Sequence, residues 1–492
     1  MNRPPDDRLS ISPVHLWSAG IIGIGMILLV LLRPERLTLV GSIAAAASVG
    51  LCLAHVAAIL LPREKYSLPF VEGIGLFYLI EFSIQPFLVD FIWPNAAPIR
   101  TYVGSPEIIE FNGAVMGALL LGVTSFFVSF HLIRGVIRQQ RTLSTLVPDL
   151  PPATLVKLGW ICVVSHVVWL SFPGVFQIPS LGQLIGPLGF LGFGIFFLLA
   201  VRRQTSRLQL LIVFGILLPW RIYLGIKTGA LVGTLLLPAF LTFLLAAVNR
   251  RRFIIVAAAF AILTLSAYPI FVTYRAILVW ETDTLTLADR LNILRRTLSD
   301  VASKEIMTQD GETVQTSASR NFRAVRQVLR RLNQSAILAV VYERSPEPVQ
   351  YWNGETLSRL ISSPLPRILW ANKPLENLGN TFGHRYGFIV ESDTKMSVNL
   401  PWLVEGFVNF GWWGLVAVMA GAGIFLGLLD GALNRLGAGV TQTVVAGTLL
   451  FPLINHESNI SLTVGSTLPT LLILIVILYI AGRLSAPRSG RA

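Results

Sequence analysis

The chemistry this sequence offers lies in cations and carboxylates that interrupt apolar runs. From Pro364 to Gly414 the chain reads PLPRILWANKPLENLGNTFGHRYGFIVESDTKMSVNLPWLVEGFVNFGWWG, with Arg367, Lys373, His384, Arg385 and Lys395 set among Asn, Gly and Pro. In its last part Pro401 suits the first turn of a helix, and Glu405 falls one turn from Asn409 on the same face. A carboxylate inside an apolar run acts as a general base, orients a cation, or ties helices together.

Three further stretches are expected on the same side of the structure. PWRIYLGIKTGALVG carries Arg221 and Lys227, which either snorkel to water or clamp phosphate, Arg through a planar fork and Lys as a point charge. NHESN at 455–459 carries His456 and Glu457, neighbours that point apart on a helix but face one pocket from a loop. The third apolar run carries Glu72, Glu81, Gln85 and Asp90. Glu72 and Asp90 share a helix face but lie ~27 Å apart along it, too far for one site. Glu81 and Gln85, one turn apart, line a polar pathway or brace a neighbouring helix.

Other chemistries find no support in the residues. The 6 histidines lack the paired spacings of zinc sites, and neither of the 2 cysteines joins them. Cys52 and Cys162 lie in apolar runs, where small packing residues are expected rather than a disulfide. Nucleotide-binding glycine motifs are missing, so no cofactor and no metal are expected.

The elements that position these groups are membrane helices. The 492 residues are 53% hydrophobic and 13% charged, with a mean hydropathy of +0.67, far too apolar for an ordinary soluble chain. Apolar runs long enough for a ~30 Å hydrocarbon core recur, and lipid leaves helices as the way to satisfy their backbone groups. The reading is an all-α polytopic protein of about twelve spans, at 14–32, 37–61, 68–93, 108–133, 154–171, 183–201, 208–224, 228–248, 253–273, 402–429, 440–454 and 467–483. The first run is read as a retained span, not a signal segment.

Arginine-rich connections such as Arg134, Arg138 and Arg141, or Arg250, Arg251 and Arg252, fall on one side and mark it as cytoplasmic, with both termini. Three parts follow: an N-terminal bundle of about nine spans (1–273), a polar extracytoplasmic loop domain (274–400) and a C-terminal group of about three spans (401–492). Within the loop, SRNFRAVRQVLRRLNQ reads as a helix whose Arg323, Arg326 and Arg330 form a cationic stripe, either solvated or set against headgroups. The stretch 300–319 reads as polar and loosely structured. The net charge of +13 is mostly a matter of topology, and nucleic acid is not implied.

The chain resembles the O-antigen polymerase type of bacterial polysaccharide polymerases, related to the O-antigen ligases. The likeness rests on many spans, one large late outward loop, and then VEGFVNFGWWG, an acidic residue followed by Asn-Phe-Gly in a Gly-rich helix. LGIKTGALVG is similar to the family's Gly-Ser-Arg-Gly turn, with Lys227 where Arg is usual, and LPRILWANKP is similar to a Pro/Lys-bearing loop stretch.

The resemblance implies a glycosyltransferase of GT-C-like architecture in the bacterial cytoplasmic membrane. It would carry out metal-independent inverting transfer on the outer face, in surface or exopolysaccharide biosynthesis. Undecaprenyl-diphosphate-linked oligosaccharides would be donor and acceptor, in contact with membrane lipid and with a chain-length-regulating co-polymerase as partner. On that reading Arg221, Lys227, Arg367, Lys373 and Arg385 hold the diphosphate, with Asn409 beside them. Glu405 leads as the base, with His456, Glu457 and His384 behind it. Trp352, Trp370, Trp402 and Tyr386 are available to stack on sugars or to anchor at the interface. A ligase-like glycan transferase, a lipid-linked oligosaccharide flippase with Glu81 and Asp90 as proton-coupling groups, and a non-catalytic export partner are the competing readings.

Overall fold

The computed structural model describes residues 13–60, 67–92, 99–100, 106–107, 110–137, 147, 149–172, 181–227, 231–280, 289, 292–293, 295–296, 317–365, 370, 372–373, 377–394, 396–434, 437 and 439–485. Among them the fold is helical, apart from a two-stranded pairing of Ile99–Arg100 with Pro106–Glu107. Among the described residues nine helices are long and apolar enough to cross a membrane, and Ala19–Leu31, Gly233–Ala246 and Val440–Ile454 are shorter apolar helices. The chain is therefore a polytopic helical membrane protein.

The helices follow the apolar runs: α1 (Pro13–Leu31), α2 (Leu39–Ala57), α3 (Phe70–Tyr78), α4 (Gly113–Ile137), α5 (Pro152–Ser171), α6 (Leu181–Val201), α7 (Leu218–Lys227), α8 (Leu231–Ala246) and α9 (Arg250–Trp280). Local signals set several boundaries. Thr38 caps α2 by accepting the Gly41 N–H at 3.1 Å, and Pro152 opens α5 where its missing N–H costs nothing. Much of α9 faces outward, with Ile255, Ile262 and Leu263 about two-thirds exposed, as a lipid-facing helix requires.

Two expected spans differ from simple rods. The run 68–93 is α3, then a π-helical stretch Leu79–Ser83, a 3-10 turn Gln85–Leu88 and a last helical turn Val89–Ile92. Pro86 cannot donate to the ladder, and the Ile84 N–H reaches back five residues to the Leu79 carbonyl at 3.1 Å. The hydroxyl of Ser83 sits there, 2.7 Å from that of Ser48 on α2.

The run expected as a single span at 402–429 is a hairpin. Its helix, Trp402–Leu433, breaks at Phe410 (φ −145°, ψ 23°) and Gly411 (φ 60°, ψ −138°). The second pair of angles is glycine territory, and it reverses the chain. Residues 402–409 form a re-entrant arm of roughly 12 Å lying alongside residues 412–433, which at roughly 33 Å supply the span itself. A Cβ added at Gly406 would sit 2.9 Å from the Leu415 Cα, and one at Gly414 would strike the Gly406 carbonyl oxygen, so these glycines permit the fold-back.

The same long helix packs tightly on α4. Gly423, Gly427 and Gly431, one turn apart, face Phe126, Phe130 and Ile137, letting the two helices approach closely. At one end of this contact Arg134 meets the buried Asp430 at 2.8 Å. Asn434 donates to Asp430 at 2.7 Å and also bridges the Leu68 backbone, accepting from its N–H at 2.7 Å and donating to its carbonyl at 2.9 Å.

The polar segment supplies α10 (Ser317–Leu332), α11 (Gln334–Arg344), α12 (Glu355–Ser362) and α13 (Leu378–Arg385), which cover one end of the bundle. The basic stripe of α10 lies on the end of the broken third run: Arg330 donates from Nε and Nη2 to the Ile92 carbonyl at 3.3 Å, and Arg326 stacks 5.3 Å over Phe91. The Arg323 side chain lies outside the described ones, as does most of 300–319. The chain ends in α13's successor, the hairpin α14 (Trp402–Leu433), then α15 (Val440–Leu450), α16 (Ile460–Gly465) and α17 (Thr467–Ser485).

Candidate functional site

The site grows from the connection 455–459 between α15 and α16. Asn455 turns this loop by accepting the Glu457 N–H at 2.9 Å, which sends His456 and Glu457 to different surroundings. His456 goes inward and is fully buried. Its Nε2–H donates to the Leu453 carbonyl at 3.1 Å, so Nδ1 is the acceptor for the Tyr78 hydroxyl at 2.8 Å. Trp402 covers one face of the ring. Burial pushes the His456 pKa down to about 3, although the Leu453 bond works the other way, and the ring is neutral.

Glu457 goes outward. Its Oε1 receives Arg331 Nη1, Asn399 Nδ2 and, at 3.3 Å, Gln334 Nε2. Its other oxygen takes no hydrogen bond among the described residues, and the side chain keeps 16% of its exposure. The carboxylate is thus clamped through one oxygen and presents the other. Burial works against the Arg331 charge, but the charge and hydrogen bond of Glu457, with smaller contributions from Glu81 and Tyr268, together raise the Arg331 pKa. Glu81, on the π-helical stretch of the third run, lies within electrostatic reach of both Glu457 and Arg331.

Glu405 and Asn409 sit one turn apart as their spacing requires, but on the re-entrant arm and not within the spanning helix. Both are fully buried. Glu405 Oε2 accepts the Ile460 N–H that opens α16, at 2.7 Å. Asn409 is consumed by framework bonds: its Oδ1 takes the Gly354 N–H at 2.9 Å, and its Nδ2 donates to Thr356 Oγ1 at 2.7 Å and to the Glu405 carbonyl at 2.8 Å. These bonds seat α12 on the arm.

The loop cations attach to α12 and its neighbours. Arg385 makes a two-pronged pair with Glu355, at 2.9 and 3.2 Å, and lies 4.2 Å over the Trp352 ring, with its side chain part-exposed. Lys373 donates from Nζ to the carbonyls of Ser363 and Leu365, at 2.8 and 2.9 Å, shaping the chain after α12. His384 Nε2–H donates to the Asp393 carbonyl at 3.0 Å. Arg367, like Lys395, lies outside the described residues.

Arg221 occupies a different group of helices. Its Nε donates to His166 Nε2 at 3.1 Å and its Nη1 to the Gly233 carbonyl at 2.9 Å, between α5, α7 and α8. His166 Nδ1–H in turn donates to the Ile185 carbonyl at 3.3 Å. Lys227 closes α7 at an exposed position. The α12 cations and the 455–460 loop form one connected assembly, and Arg221 belongs to a separate one among α5, α7 and α8.

Sequence reasoning missed Arg331, Gln334 and Asn399, and read Glu81 as a brace, a pathway residue or a proton-coupling group. Arg331 lies one residue off the expected stripe, and its neighbour in the doublet, Arg330, drew attention because it kept the helical spacing. The aromatic expectation also narrows. Trp352, Trp402 and Tyr386 are buried, the last with its hydroxyl 2.6 Å from Ser345 Oγ, whereas Trp370 is exposed. Apolar rings with a polar edge were used to build the interior. No protein-family model, curated protein or solved structure matches this chain.

Proposed function

We propose that the protein is a membrane glycosyltransferase that polymerises undecaprenyl-diphosphate-linked oligosaccharide repeat units on the outer face of the bacterial cytoplasmic membrane. The observation that carries the reading is the Glu457 carboxylate, clamped by three donors at the junction of the polar segment and the spans, with one oxygen left to accept. That is the arrangement a general base needs: fixed in place and open on one side. The acceptor hydroxyl gives its proton to Glu457 Oε2 as its oxygen bonds the donor's anomeric carbon. The bond from that carbon to the diphosphate breaks, and the leaving group departs with the electron pair.

Arg385, in the assembly that holds Glu457, is the cation this reading assigns to the diphosphate, whereas Arg221 is bonded within a separate group of helices. Arg367 stays with Arg385 as an expectation from the sequence. Glu405, His456 and Asn409 move from chemistry to support, because the bonds they make hold the arm, the 455–460 loop and α12 together. Lys373 and His384, each donating to backbone carbonyls, hold the loop's course.

A second reading, a transporter for lipid-linked oligosaccharide, draws support from the broken helices. The π-helical stretch of the third run, the re-entrant arm and the 455–460 break meet around His456, and discontinuous helices are how transporters build sites within the membrane. Removing the gene and examining the accumulated lipid-linked glycan separates the two. Single repeat units on the outer leaflet support polymerisation, and units held on the cytoplasmic leaflet support transport. Unchanged glycan sinks both.

A further inference from the structure

Among the described residues, Glu81 and Gln334 each leave a polar atom without a hydrogen-bond partner beside the Glu457 clamp. Gln334 is 1% exposed, and while its Nε2 donates to Glu457, its Oε1 is buried with no hydrogen-bond partner among the described residues. Glu81 Oε2 is in the same condition, on a side chain within electrostatic reach of both Glu457 and Arg331. Buried acceptors of this kind cost stability unless something donates to them. The Gln334 amide is planar, so an oxygen on the group that touches Glu457 lies in the same cluster.

The charges restrict what that partner is. The Arg331 guanidinium is already paired with the Glu457 carboxylate, which disfavours a phosphate or other anion. Arg331 already bonded to Glu457 disfavours a cation there. Carboxylates and amides side by side match a neutral ligand whose groups both donate and accept, which is the character of neighbouring sugar hydroxyls. We infer that Glu81, Gln334 and Asn399 form, with Glu457, a subsite for a neutral glycosyl unit. Glu81 and Gln334 accept its hydroxyl protons while Glu457 faces the hydroxyl that reacts. The choice of a sugar rests on the proposed glycan chemistry, whereas the case for a neutral polyhydroxyl ligand stands on the unpaired acceptors.

The test uses the full chain in lipid nanodiscs and saturation-transfer NMR, with methyl β-glucoside, methyl β-galactoside and methyl α-mannoside as probes. At least one should receive saturation on its ring protons. Replacing one carboxyl oxygen with an amide N–H in Glu81→Gln, and removing the amide in Gln334→Leu, should each weaken that binding about tenfold. Glu81→Gln keeps the shape of the side chain and carries the test if Gln334→Leu fails to fold. No transfer to any of the three, or equal transfer in wild type and both variants, overturns the subsite. Glycoside binding that depends on Glu81 in a protein that makes no polymer in cells retains the subsite and removes the polymerase reading. Normal polymer from Glu81→Gln with unchanged glycoside binding does the reverse.

Discussion

The indole of Trp402 lies flat on the imidazole of His456, with ring centroids 3.9 Å apart and planes 3° from parallel. One ring opens the re-entrant arm and the other sits in the loop before α16, and the backbone N–H of Trp402 donates to the backbone carbonyl of His456 at 3.2 Å. The stack joins the two breaks in the C-terminal helices.

Acid should loosen this joint. In the folded protein His456 titrates at about 3, against 6.5 for the free side chain. A group with a lowered folded value contributes fully above the unfolded value, and that stability is lost as pH falls from 6.5 towards 3. The slope is at most about 1.4 kcal/mol per pH unit. Thermal unfolding in detergent between pH 7.5 and 4.5 should show a falling midpoint, and a flat profile would mean that the ring is hydrated.

Glu457→Gln should abolish polymer formation, with a rate loss of about a hundredfold or more, while leaving the protein inserted and its melting midpoint nearly unchanged. A glutamine carbonyl still accepts from Arg331, Gln334 and Asn399, so the clamp survives and only the proton acceptor is lost. Near-normal polymer, measured on extracted glycan from cells carrying the variant, would remove Glu457 from the chemistry.

Gly411→Ala should destabilise the protein by about 1–3 kcal/mol. The added Cβ meets the Tyr351 hydroxyl at 2.7 Å as well as the unfavourable φ of 60°. Gly421→Ala, in open space on the spanning part of the same helix, should be close to neutral. Similar melting shifts for the two would argue against the hairpin.

Removing the Arg134 charge should cost about 1–3 kcal/mol, because Asp430 is 2% exposed and its Asn434 bond does not neutralise it. Arg134→Gln combined with Asp430→Asn should recover much of the loss. A double variant as unstable as the sum of its parts would show that the two side chains act independently.

Much of this architecture was legible in the residues. Apolar length located the helices, since an apolar run in lipid has one way to satisfy its backbone. Glu405 and Asn409 were correctly placed one turn apart. Their direction was not legible, because Phe410 and Gly411 reverse the chain inside a run whose hydrophobicity never falters. The clamp was hidden for another reason. Arg331 and Gln334 share one stretch while Asn399 and Glu457 come from two others, and no spacing in one sequence records meetings across 58, 123 and 126 residues. Local pattern reports on faces of single helices, whereas the site is made where several broken ones meet.

The re-entrant arm has a consequence for how the protein is made. Its first N–H bonds to His456, and its Glu405 receives the N–H of Ile460, so both partners lie some fifty residues later in the chain. A ribosome that has just released the arm has not yet synthesised the groups that hold it. The arm, and α12 seated on it through Asn409, must wait for the last helices to enter the membrane. Chains cut short before residue 455 would keep most of their spans yet lose the ordered lid above them, a defect that protease sensitivity of the polar segment would reveal.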